Sequence, residues 1–147
     1  MHSLVWGRDK GLHMKGHENF LKRNSLRKSF VCAIKGIIWV TASQRNMKLH
    51  LLAAVAVIVA AVLFEISYLE TALVFFAIGL VVAAEMVNTA IEAAVDLVTR
   101  EYNPLAGRAK DAAAGAVLLA ALFSVIVGIL VFFPYVKRWL GSVSPGN

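Results

Sequence analysis

The chain has 147 residues, enough for one domain, and 59% of them are hydrophobic while only 16% are charged. Soluble domains average about 25% charged residues, so this composition excludes an ordinary soluble enzyme and points to a membrane. The formal net charge is +6, but ten of the fifteen Lys and Arg precede Leu49; a basic end beside apolar spans faces anionic lipid, and no nucleic-acid partner is expected. Cys32 stands alone, which excludes an intrachain disulfide and a multi-cysteine metal site.

Residues 1–28 read as a basic N-terminal extension without clear periodicity or the apolar core of a cleavable signal peptide. His13, His17 and Asp9 would share a helix face there, but Gly11 and Gly16 argue against a helix and hence against a metal site. The stretch SFVCAIKGIIWV, residues 29–40, is interrupted by Lys35 and Gly36. It is too short to span and is expected as an amphipathic helix on the membrane surface.

Three long apolar runs follow, placing spans at about 49–68, 71–97 and 112–133, within a membrane domain over 29–134 and ahead of a tail over 135–147. The third run has 22 residues without a charge, where a span needs about 20. The expected fold is therefore an all-α membrane protein: three transmembrane helices plus an N-terminal amphipathic surface helix. Arg100, Arg108 and Lys110 lie in the loop between spans two and three; none lies in EISYLE, and only Lys137 and Arg138 follow Phe133. The positive-inside rule then predicts a multi-pass protein of the cell membrane with its N-terminus in the cytoplasm.

The second span carries the informative anomaly. After TALVFFAIGLVVAA comes EMVNTAIEAAVD, residues 85–96. At about 100° per residue, with Glu85 at zero, Asn88 falls near about 300°, Glu92 near about 340° and Asp96 near about 20°. All four share one face. A charged residue at a span's centre costs about 2.5–3.5 kcal/mol, while each Leu, Ile, Phe or Val returns only about 0.3–0.6 kcal/mol. The stripe must then face other helices, water or a cation rather than lipid. For Asp96, a wet helix end accounts for the charge equally well.

Two carboxylates with an amide between them suit a hard cation such as Mg²⁺, and also a general base. Lys110 and Arg108 bring positive charge to the start of the third span, where AAAGA permits close helix approach. Such a set fits phosphoryl transfer, and it equally fits a cation pathway. No GxxxxGK[ST] occurs, so a nucleotide site here is not a P-loop. Periodicity and charge leave the two readings open.

Two motifs add a resemblance. EMVNTAIEAAVDLV on the second span and GRAKDAAAGAVL opening the third, within Ser29 to Pro134, resemble the small bacterial integral-membrane lipid kinases that act on diacylglycerol or undecaprenol. The resemblance implies transfer of the ATP γ-phosphate to the hydroxyl of a membrane lipid, without a phosphoenzyme, by a homotrimer with shared sites. It implies Glu85 as general base with Asn88 beside it, and Glu92 as a Mg²⁺ ligand. Lys110 and Asp111 would meet ATP phosphates, with Glu101, Tyr102 and Asn103 in the nucleotide-side loop. Gln44 stands where the family usually has a second metal-ligating Glu; it keeps a carbonyl oxygen but brings no charge. RNMKLH, NPLA and DAAAGAVL look more like the undecaprenol branch, and GRAKD more like the diacylglycerol branch. The rival class is a non-enzymatic pore or holin-like assembly whose acids line a channel.

His50 reads as an interfacial residue, and Trp39, Tyr68, Tyr135 and Trp139 as an aromatic belt.

Overall fold

A computed structural model describes residues 26–143; the extension before Leu26, with His13, His17 and Asp9, lies outside the described residues, as do the last four. Four helices account for almost all of it: α1 (Leu26–Ser43), α2 (Arg45–Leu63), α3 (Tyr68–Val98) and α4 (Pro104–Val143), with no strand among the described residues. The chain divides into compact units after Gly36. The described part of the first unit is the N-terminal portion of α1; the second holds everything from Ile37 onward.

The apolar helices α2, α3 and α4 are each long enough to cross a membrane. At about 1.5 Å per residue, α2 is about 28 Å long, α3 about 46 Å and α4 about 60 Å, against a hydrocarbon core of about 30 Å. So α2 barely spans, while α3 and α4 carry turns beyond the apolar layer. Those extra turns hold the polar residues of interest at the end of α3 and the start of α4.

Local chemistry sets where each helix stops. α2 closes in a Schellman arrangement: Ile66 N donates to Ala61 O at 3.3 Å and Glu65 N to Val62 O at 3.3 Å. The left-handed position this requires is filled by Glu65, φ 50°, where glycine is usual. Two residues on, Ser67 opens α3 with a capping box, Ser67 N donating to Glu70 Oε2 at 2.8 Å and Glu70 N to Ser67 Oγ at 3.4 Å. The same Glu70 Oε2 accepts from Tyr135 Oη at 2.6 Å, and Phe64 packs near both Phe132 and Tyr135, so the α2–α3 turn is fastened to the end of α4.

At the opposite end, Asn103 Oδ1 accepts from Leu105 N at 2.9 Å and Ala106 N at 3.3 Å, with Pro104 at the first helical position. The helix thus starts ahead of the RAKD stretch expected to open it, because Asn-Pro supplies the cap. Along their length α3 and α4 meet through small and β-branched side chains, with Val74, Ala77, Val81, Ala113, Val117 and Ala120 all buried. Ser124 Oγ reaches across from α4 to Ala77 O at 3.1 Å. Outward, Phe75, Phe76, Leu118, Phe123 and Leu130 are exposed, a surface that water would not tolerate and lipid or a second copy would cover.

Candidate functional site

Along its C-terminal half, α3 turns one polar face inward. Glu85 is 2% exposed, Asn88 7% and Thr89 1%, while Glu92 is half-buried and Asp96 exposed. The face therefore runs from a buried interior to an exposed end over twelve residues, about 16 Å of helix. In front of it lies a cleft of about 330 Å³, walled by Glu85, Asn88 and Glu92 from α3, by Asn46 and His50 from α2, and by small side chains such as Ala114 and Ala121 from α4.

The hydrogen bonds inside this cleft are incomplete. Asn88 Nδ2 donates to Glu92 Oε1 at 3.0 Å, fixing the amide so that its oxygen is turned away from the carboxylate. Thr89 Oγ1 is spent on the backbone oxygen of Glu85 at 2.9 Å and gives nothing to the carboxylate. Glu85 Oε2 and Asn88 Oδ1 are left buried without any partner. Buried acceptors left unpaired cost roughly 1–3 kcal/mol each, more when charged. Two such oxygens in one cleft wall mark a place that a donor or a cation would satisfy.

That donor set fits Mg²⁺ in part. Carboxylate and amide oxygens are the hard ligands the ion takes. Among the described residues, however, no three His, Cys, Asp or Glu side chains gather as a metal site. The protein can supply only part of an octahedral shell, which suits an ion that arrives already held by phosphate oxygens and water.

The remaining residues singled out from sequence lie outside this cleft. Lys110 Nζ bonds Asp96 Oδ1 at 2.5 Å, joining the wet end of α3 to the second turn of α4. The two side chains are 38% and 60% exposed, so the pair adds little stability and its lysine is within reach of an incoming anion. Asp111, Glu101, Tyr102 and Asn103 are exposed at the same end, with Asn103 serving as the α4 cap. Gln44 is half-buried at the N-cap of α2, makes no side-chain cap bond, and is not part of the cleft wall. Two cleft residues had no sequence signal as site residues: Asn46, and His50, which had read as interfacial.

Comparison with known proteins shows the family. Residues 31–132 match the family described as prokaryotic diacylglycerol kinase. An undecaprenol kinase of Bacillus subtilis (strain 168) is 48% identical over 121 residues, 82% of this chain and 96% of that protein. A diacylglycerol kinase of Synechocystis sp. is 45% identical over 107 residues, 72% of this chain and 61% of that protein. The diacylglycerol kinase of Escherichia coli (strain K12) is 36% identical over 84 residues, 55% of this chain and 69% of that protein. Kinase names throughout set aside the pore reading. The chain belongs to the prokaryotic diacylglycerol kinase family and is a membrane lipid kinase that uses ATP.

Proposed function

We propose that the chain transfers the γ-phosphoryl group of Mg-ATP to the hydroxyl of a long-chain lipid alcohol, with undecaprenol as substrate and undecaprenyl phosphate as product. The observation that carries this reading is the buried, unpartnered Oε2 of Glu85 in a cleft shared with Asn88 and Glu92. A lipid hydroxyl entering the cleft supplies the hydrogen bond that Oε2 lacks. Glu85 then orients the hydroxyl and accepts its proton as the oxygen attacks the γ-phosphorus, the new O–P bond forming as the bond to ADP breaks. Asn88 holds Glu92 in place through its amide. Lys110, half-buried beside Asp96, exchanges Asp96 for ATP phosphate oxygens, with Asp111 beside it and Glu101, Tyr102 and Asn103 bordering the nucleotide. Glu92 and the carbonyl oxygen of Gln44 would hold Mg²⁺, which neutralises phosphate charge when bound.

Undecaprenol is favoured because the Bacillus relative carrying that name matches 96% of its own length. Diacylglycerol is the second reading, on the names of the Synechocystis and Escherichia relatives. The exposed apolar faces of α3 and α4 suit a homotrimer whose neighbouring subunits complete the site, and the basic N-terminal side suits the cytoplasm, where ATP is. Glu85→Gln tests the assignment of the base. It should lower turnover by about 10²–10⁴-fold while the detergent-solubilised protein keeps its elution volume and helicity. Unchanged turnover would remove Glu85 from the chemistry.

A further inference from the structure

The polar cleft borders a second cavity. His50 and Ala121 line the cleft, and both also line a groove of about 240 Å³ between α2, α3 and α4. The groove is bordered by α2 from His50 to Val57, by α3 from Val82 back to Val74, and by α4 from Ala121 to Gly128. Each border is about 10–12 Å of helix, and on α3 it leads away from Glu85 toward the middle of the membrane. Beyond His50 the only polar side chain in the wall is Ser124. Its hydroxyl is already committed to Ala120 O at 2.8 Å and Ala77 O at 3.1 Å. Beyond His50 at its mouth, the side chains of the wall therefore offer a ligand no free donor.

A molecule that fills both cavities needs a hydroxyl at one end and bare hydrocarbon directly behind it. We propose that the groove is a slot for the first segment of a single-chain lipid alcohol, a polyprenol, and that His50 at its mouth positions the hydroxyl toward Glu85. The inference rests on the lipid-kinase reading above and adds a reason for substrate choice. Diacylglycerol carries two ester carbonyls within a few bonds of its hydroxyl. In this slot they would leave water and meet no donor, which is unfavourable. A polyprenol has only hydrocarbon at those positions.

Gly128 sits at the far end, and a Cβ built there meets no atom within 4 Å, so Gly128→Leu extends into open space without a backbone clash. The experiment assays the full chain in mixed micelles with Mg-ATP, against geraniol, farnesol, undecaprenol and diacylglycerol offered separately. Gly128→Leu should raise KM for undecaprenol by at least about tenfold and leave KM for geraniol, which is too short to fill the slot, nearly unchanged. His50→Ala should lower kcat for every prenol while KM for ATP stays put. The slot is overturned if Gly128→Leu affects all lipids alike or none, or if it alters only subunit assembly, which would make the groove the seat of a second copy. A wild-type protein that labels diacylglycerol and no prenol overturns the slot but leaves the lipid-kinase reading standing. Label in no lipid removes both.

Discussion

Glu85 and Asp96 lie on the same helix face, yet one is 2% exposed and the other opens to solvent. Their shared face was legible from the 100° rule alone, because it depends only on distance along one helix; for Asp96 the sequence left a wet helix end and a place in the polar stripe equally open. Asn46 and His50 were not legible, because they reach Glu85 from another helix, and nothing in a single sequence states which turn of α2 packs against which turn of α3. Gln44 is the residue whose substitution is most informative. With the charge restored, Gln44→Glu should lower the Mg²⁺ concentration needed for half-maximal activity several-fold, since each added charge near a partly wet cation contributes Coulomb attraction. The Mg²⁺ titration of phosphorylation rate checks this. An unchanged titration would take the position off the metal, in keeping with its place outside the cleft wall.

Helix ends explain more of this fold than helix middles do. The apolar runs were readable as spans, but apolarity reports contact with hydrocarbon and not helix length. The cap formed by Asn103 and Pro104 starts α4 four residues before Arg108, and the helix continues through Pro134 to Val143. The turn at the other end carries a cost that can be removed. Glu65 occupies the left-handed position of the Schellman motif without a side-chain bond that rewards it. Glu65→Gly should stabilise the protein by up to about 1 kcal/mol, the usual advantage of glycine at positive φ, read as a rise of a few degrees in Tm in detergent. A fall in Tm would mean that the carboxylate contributes more than the backbone strain costs. Neither the turn nor its Tyr135–Glu70 fastening touches the cleft, so KM for lipid and ATP should not change.

For the molecule as a whole, the two ends of the helix bundle differ in kind. One end holds the Asp96–Lys110 pair and the exposed Glu101 and Asn103 of the α3–α4 loop; the other is closed by Phe64, Tyr135 and Glu70. Only 17% of the most apolar window of α4 is buried, so lipid or neighbouring copies must complete the surface. The proposed orientation is checked with thiol labelling. In a Cys32→Ser background, Ser142→Cys should react with an impermeant maleimide added to intact cells, and a cysteine at Thr99 should react only after the membrane is opened. The reverse pattern would put the nucleotide end on the wrong side for cytoplasmic ATP. The central claim, phosphoryl transfer to a lipid alcohol, is tested most directly by supplying γ-labelled ATP and Mg²⁺ to the purified protein with undecaprenol or diacylglycerol in separate micelles. Label in the undecaprenol extract, absent with Glu85→Gln, is the predicted result; label in neither lipid would contradict the account.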